Sequence, residues 1–402
     1  MGVERDRVPC GDRAAATSAR GRVCAVAYAD YASDPRVRRE AEALVHAGID
    51  VTVLALQKRG APPEEWIDGV HVVHLPVLRR HGGDLGHYIG SFARFFLLAA
   101  WYLGCRPRSF DLVHAHSVPE AMVFTGLVQR CRGRPVLLDV HDLSTELYAN
   151  RVGAVPWPIR RAELLSLRFA DAVMTVHDQY RELLVERGVP PEKVTVILNV
   201  PDERLFGGGQ PPTWPAGDLR LVYLGSLLER YGLGVALDAV EILRERIPGV
   251  RLAITGDGDY RKEIERRLTQ GGLGDSVALS QGLVPVSDVA SCLRGAHIGL
   301  VPFLDSTFTA NILPTKLLEY VLMGIPAIVS RNHVIESYFT DEMVTYVPPG
   351  DALALAAAVE WLWRHPLQAQ EKARKAQGVL REHSWGRERE QFISLVQGLL
   401  LR

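Results

Sequence analysis

The sequence lacks a secretory signal, a C-x-x-C pair, an excess of either charge and any apolar run long enough to cross a bilayer. Each gap removes a class of protein. The five cysteines, Cys10, Cys24, Cys105, Cys131 and Cys292, are odd in number and far apart. That argues for reduced thiols in the cytoplasm and against a zinc site or a disulfide framework. With 46 basic and 47 acidic residues the formal net charge is −1, so the whole molecule has no electrostatic reason to track nucleic acid. The first twenty residues are charged and alanine-rich and read as a loose tail, 1–20. The longest apolar stretch, Ile89 to Cys105, has 17 residues and includes Arg94 and two glycines. A spanning helix needs about 20 apolar residues, so a buried helix is the plainer reading. Arg79, Arg80, Arg106 and Arg108 flank it, which keeps open an amphipathic surface resting on anionic lipid at the inner face of a membrane.

What is present is the composition of an ordinary soluble protein, 47% hydrophobic and 23% charged, over 402 residues. That length suits two α/β domains of about 150–200 residues each. From Val23 onward, apolar runs of strand length alternate with helical patterns, which implies parallel sheets with helices on both faces. The first-half strands are expected at Val23–Tyr28, Val51–Leu56, Val70–Leu75, Leu112–Ala115, Val136–Val140, Ala172–Val176 and Val194–Leu198. Asp34 and Pro35 stand where an N-cap and a first helical residue belong, and Val37, Ala41, Leu44 and Val45 then share one face. The stretch PDERLFGGGQPPTWPAGD has neither period and marks a linker. Strands are expected again at Leu219–Leu224, Arg251–Thr255, Val277–Leu279, Ile298–Pro302 and Ala327–Ser330. The resulting division is an N-terminal domain 21–205, a linker 206–218, a C-terminal domain 219–383, and a last amphipathic helix 384–402 crossing back to the first domain. Ligands of such sheets bind at the carboxyl ends of the strands, so the cleft between two facing domains is the expected site.

The second half carries the clearer chemistry. LVYLGSLLERYGL is a strand, a turn at Gly225 and a helix start with Arg230 beside it, where backbone N–H groups and a guanidinium can meet an anion. An ordinary βα turn with a solvated arginine reads the same way. ITGDGDY places Gly256 and Gly258 in another tight turn, but without the third glycine of G-x-G-x-x-G, which disfavours NAD. In VPFLDSTFTANILPTKLLEYVLMGIPAIVS, Pro314 opens a helix, Gly324 ends it, and Lys316 and Glu319 share one side. A carboxylate can accept from two ribose hydroxyls while an ammonium sits near phosphate. A surface ion pair at the same spacing is the bland alternative. In the first half His116 follows the strand Leu112–Ala115 and is expected to face the cleft, although a hydrogen-bonded histidine at a strand end reads the same way; His141, Asp142 and Glu146 follow another strand on the same rim, and Asp34 and Arg36 lie after the first. Loops at this edge usually carry function, which makes Asp34, Arg36, His141, Asp142 and Glu146 candidates for positioning a second substrate.

These segments together resemble the GT-B glycosyltransferases of family 4, from Val23 to about Leu400. The resemblance rests on DPRVRREAEALVHAGIDVTVLAL, DLVHAHS, VLLDVHDLSTE, FADAVMTVHDQYRELLVERGVPPEKVTVILNVPDERLF, YLGSLLERYGL, ITGDGDY and PTKLLEYVLMGIPAIVS in that order. It implies two Rossmann-like doubly wound domains around an interdomain cleft, and a retaining, metal-independent transferase using a nucleotide-diphosphate sugar, with no cofactor. Glu319 resembles the second glutamate of the family's E-x7-E motif, which holds the ribose; the first falls on Asn311, an amide that can still donate and accept. The Arg and Lys of the family's G-R-x-x-x-x-K-G signature fall on Ser226 and Tyr231, with Arg230 the neighbouring base. The implied donor site is therefore Gly225, Ser226, Arg230, Gly256, Asn311, Lys316, Leu317 and Glu319. His116, which resembles the family histidine beside the transferring sugar, joins Arg230 and Lys316 as the catalytic set, and Asp34, Arg36, His141, Asp142 and Glu146 form the acceptor side.

The expected reaction is sugar transfer, with retention, to a hydroxyl of a lipid-linked, polysaccharide or small-molecule acceptor. Fixed cations stabilise the leaving diphosphate as its charge grows, and no side chain stands out as a nucleophile. Two other readings remain beside it, a GT-B nucleotide-sugar 2-epimerase and a non-catalytic partner subunit that binds sugar nucleotide. Asn311 and Ser226 are the residues that keep the second of these open.

Overall fold

The computed structural model describes residues 21–78, 85–147, 156–206, 212, 214, 218–247 and 249–402. The expected tail, Cys10, Arg79, Arg80 and most of the 206–218 linker lie outside them. Two parallel sheets organise the rest. The first contains β1 (Arg22–Val26), β2 (Asp50–Leu56), β3 (Glu64–Ile67), β4 (Val70–Leu75), β5 (Leu112–His116), β6 (Val136–Val140), β7 (Ala172–Thr175) and β8 (Val194–Val196). They run in the order β3-β4-β2-β1-β5-β6-β7-β8, all neighbours parallel except β3 against β4. The second contains β9 (Arg220–Leu224), β10 (Arg251–Thr255), β11 (Val277–Leu279), β12 (Ile298–Val301), β13 (Ala327–Ser330) and β14 (Thr345–Val347), in the parallel order β11-β10-β9-β12-β13-β14.

The elements form where local chemistry favours them. In α1 (Pro35–His46), Asp34 caps the N-terminus by accepting from Arg36 N at 3.1 Å and Val37 N at 3.4 Å. Pro35 occupies the first turn, and Val37, Ala41 and Leu44 are buried. Two strands, β3 and β14, lie outside the apolar runs that mark the others. Both are edge strands: β3 is EEWI with no fully buried residue, and β14 has three residues. An edge strand meets solvent along one side and needs no continuous apolar run.

The apolar stretch near Ile89 forms α2 (Leu85–Gly104), and the buried-helix expectation holds for one face only. Phe95, Ala99 and Leu103 are fully buried, whereas Ile89, Leu97 and Trp101 are 53%, 65% and 66% exposed. No helix among the described residues is long and apolar enough to cross a membrane.

In the second sheet, α3 (Thr315–Leu322) lies against β9 and β12 because Gly299 has no side chain. A Cβ there would come within 2.2 Å of the Tyr320 ring. With the ring in place, the Tyr320 hydroxyl accepts from Leu224 N at 3.0 Å and donates to Val222 O at 3.5 Å. Gly324, at φ +69°, then ends the helix in the left-handed conformation that glycine adopts without strain. The last helix, α4 (Trp385–Leu400), packs on the first sheet's side. Trp385 lies under the Arg39 guanidinium at 4.2 Å, and Glu388 accepts from Leu198 N at 2.9 Å.

The two units touch at few polar points. His177 Nε2 meets Asn311 O at 3.1 Å, Gln179 donates to Ser337 at 2.7 Å, and the Tyr338 hydroxyl donates to Asp178 at 2.9 Å. Since the Tyr320 ring of α3 lies directly over Gly299, Gly299→Ala is expected to lower the unfolding free energy by about 1–3 kcal/mol through overpacking. Chemical denaturation checks this, and unchanged stability would mean that α3 does not sit on β12 as described.

Candidate functional site

The site in the second unit is built by the carboxyl ends of β9, β10 and β12 and the start of α3. Gly225, at φ +122°, turns the chain out of β9, and a Cβ on it would lie 3.3 Å from Lys316 Cε. Gly256, at φ +149°, passes so close that its Cβ would fall 1.8 Å from Gly225 O. Only glycine permits both turns to pack together. Gly256 N donates to Ser280 Oγ at 3.1 Å, so that amide is already engaged.

Lys316 is buried in this turn, with Nζ 3.7 Å from the centre of the Tyr223 ring, 5.1 Å from Tyr231 and 5.7 Å from Phe303. Arg230 lies 4.8 Å over Phe308 and 5.4 Å over Tyr231. Neither Lys316 Nζ nor Arg230 Nε has a hydrogen-bond partner among the described residues. The surface ion pair that the Lys316–Glu319 spacing also allows does not form. Aromatic faces hold both cations by cation–π attraction, an arrangement that leaves their charge for an anion.

Burial lowers Lys316 to about 7, with Glu319 offsetting only part of the shift. Burial likewise raises the Glu319 carboxyl to about 7 against the pull of Lys316, although some of its surface stays open to solvent. Asn311 donates from Nδ2 to Thr307 O at 2.8 Å, and its backbone oxygen takes the bridge from His177. Ser226 is exposed and its carbonyl accepts from the Tyr223 hydroxyl at 2.8 Å. Leu317 is a core residue, fully buried, with its amide bonded to Pro314 O. Asp257 and Asp259 have D-x-D spacing, which the sequence reading passed over. Asp257 Oδ1 is occupied by Gly258 N and the Arg261 guanidinium, both at 2.9 Å, so it serves the turn.

In the first unit the rim candidates converge on α1 and the ends of β5 and β6. His116 and His141 are both buried against Asp139, His116 Nδ1 at 3.1 Å and His141 Nε2 at 2.7 Å from Oδ2. Burial works against ionised Asp139, but His141 and His116 outweigh it and hold the carboxyl far below its usual range. Asp34 pairs with Arg36 at 3.3 Å; burial would raise Asp34, yet Arg36 holds it down at about 2. Asp142 and Arg36 act electrostatically on Tyr231 of the second unit, so this rim faces the cation pocket. Glu146 is drawn elsewhere, its carboxylate 2.6 Å from Arg187. Sequence reasoning missed Asp139, Glu40 and His114. His114 carried a signal, since it alternates with His116 on one strand face.

Residues 32–199 match the glycosyl transferase 4-like domain and residues 218–365 match glycosyl transferases group 1. This chain belongs to the group 1 glycosyltransferases. It is 27% identical over 194 residues to the amylovoran biosynthesis glycosyltransferase AmsK of Erwinia amylovora, 46% of each chain. It thus spans about half the length of the curated relatives that match it in this way. Among solved structures, sucrose-phosphate synthase from Thermosynechococcus elongatus superposes with a TM-score of 0.77 at 19% identity, covering 95% of this chain and 99% of that one. HepE of Anabaena in complex with UDP-glucose gives a TM-score of 0.72 at 14% identity, covering 94% and 100%. At these identities the likeness shows the fold, and the group 1 glycosyltransferase has the two-domain GT-B architecture.

A raised carboxyl and a lowered ammonium have opposite pH signatures. Unfolded Glu319 releases its proton near 4.5 while the folded one keeps it to about 7, so stability falls as pH rises through that interval. Folded Lys316 releases its proton near 7 while the unfolded one keeps it to 10.5, so stability falls as pH drops through that interval. The pair therefore costs most near neutrality. Glu319→Gln is expected to be about 1–2 kcal/mol more stable than the parent at pH 7, with the gain shrinking toward pH 4.5. A variant no more stable at pH 7 would mean that the carboxyl is ionised and compensated.

Proposed function

We propose that this group 1 glycosyltransferase transfers a sugar, with retention, from a nucleoside-diphosphate sugar to an acceptor hydroxyl. The observation that carries the proposal is the pair of aromatic-held cations without anionic partners at the start of α3 and after β9. A diphosphate brings the oxygens they lack, and Glu319, three residues after Lys316, is placed to accept from ribose hydroxyls. The cation charges meet the negative charge that develops on the leaving group, so this site needs no metal and no cofactor for that step. The bond from the sugar's anomeric carbon to the phosphate oxygen breaks, the bond to the acceptor oxygen forms on the same face, and the leaving phosphate oxygen takes the acceptor proton. The rim of Asp34, Arg36, His116, His141 and Asp142 presents the acceptor, and closure of the two units excludes water.

Two similar proteins narrow the substrates. The UDP-glucose bound to HepE supports a uridine donor, and the role of AmsK in amylovoran biosynthesis supports a polysaccharide acceptor. The free thiols of Cys24, Cys105, Cys131 and Cys292 suit a reducing compartment, the cytoplasm.

The test is calorimetric titration with UDP-glucose and a panel of other nucleotide sugars, followed by product analysis with glycan acceptors. Glu319→Ala should weaken donor binding by ~2–4 kcal/mol through loss of buried hydrogen bonds. Unchanged donor affinity in that variant would remove Glu319 from the site. A sugar epimer formed without acceptor would replace transfer by epimerisation, and donor binding with no product on any acceptor would indicate a binding subunit.

A further inference from the structure

Beneath the acceptor rim, and sharing only His116 with it, lies a buried cluster. His114 and His116 are two residues apart on β5 and so share a face, and the parallel register sets His116 beside Asp139 of β6. Glu40, on the buried side of α1, closes the group from above. His114 Nε2 lies 3.8 Å from Glu40 Oε2 and 4.0 Å from Asp139 Oδ2; His116 Nδ1 lies 3.9 and 3.1 Å from the same two oxygens. All four residues are at least 95% buried, and these four atoms lie within 4.8 Å of one another. None of the four makes a hydrogen bond of good geometry among the described residues.

We infer that Glu40, His114, His116 and Asp139 form a binding site for one divalent transition-metal ion, of the zinc type. Four nitrogen and oxygen donors about 2.0–2.1 Å from a tetrahedral centre lie about 3.3 Å apart; the four histidine–carboxylate separations here are 3.1–4.0 Å and no pair exceeds 4.8 Å, so side-chain shifts of up to about 1.5 Å reach that geometry. Two neutral imidazoles and two carboxylates match a borderline divalent cation in type and cancel its charge. Without an ion, Asp139 has His116 and His141 against it, while Glu40 faces the same dry interior with Arg39 bordering the adjoining cavity. A divalent ion at the centre of the four donors would offset the approach of the two carboxylates. Its ligation through His116 Nδ1 leaves the proton on Nε2, which fixes the tautomer of the histidine that ends β5. A small cavity bordered by Arg39, Glu40, Asp139, His141 and Asn199 adjoins the cluster. The absence of paired cysteines argued against zinc, but spacing rules do not register donors drawn from α1, β5 and β6.

The full chain, stripped with a chelator, should be titrated with zinc(II) and cobalt(II). Uptake of about one equivalent, a higher melting temperature, and cobalt bands of a four-coordinate nitrogen and oxygen site without thiolate charge transfer are expected. His114→Gln and Glu40→Gln should each weaken uptake at least about tenfold, while Cys105→Ser, at an exposed thiol, should not. No stoichiometric uptake by the parent chain overturns the inference, as does a folded His114→Gln or Glu40→Gln variant that binds as tightly as the parent. If both variants fail to fold, the parent titration and its cobalt spectrum decide.

Discussion

Lys316 gives up its water without gaining a carboxylate in contact, and the rest of the second unit is arranged around that fact. A desolvated ammonium is tolerated because the Tyr223, Tyr231 and Phe303 rings surround it with their negative faces. Those rings can approach only because Gly225 and Gly256 keep the two βα turns thin, and because Gly299 lets Tyr320 seat the helix that carries the lysine. The fold thus holds a cation partly discharged at neutral pH, and an anion entering the turn would restore its charge.

The first unit answers with a different balance. Its charges are compensated internally: Arg36 pairs with Asp34, Arg187 with Glu146 and Glu163, and Asp139 gathers His116 and His141. On the proposed function, a rim whose charges are paired in this way would present hydroxyl-bearing partners without competing for the diphosphate. Polar bridges between the units lie at His177, Asp178 and Gln179.

Much of this was legible in the chain. The central strands appear as apolar runs because both faces are covered, and Asp34–Pro35 and Gly324 mark helix ends by their backbone chemistry. β3 and β14 were not legible, since an edge strand is selected by pairing and not by a hydrophobic period. At the site, the i, i+3 spacing of Lys316 and Glu319 was visible, but not which side of the helix is dry, and spacing alone suits a surface pair equally well. Glu40, His114 and Asp139 come together through sheet register and helix docking, which no local pattern encodes. Glu146 shows the reverse case: it lies on the expected rim, and a distant arginine claims it.

The central claim is that a nucleoside diphosphate occupies the unpaired lysine, and proton bookkeeping tests it most directly. Calorimetry of donor binding at pH 8 in buffers of differing ionisation enthalpy gives the number of protons taken up. Because free Lys316 sits at about 7 and a diphosphate would raise it, about one proton should be absorbed per donor bound, and none by Lys316→Met. Donor binding without proton uptake in the parent chain would contradict the account.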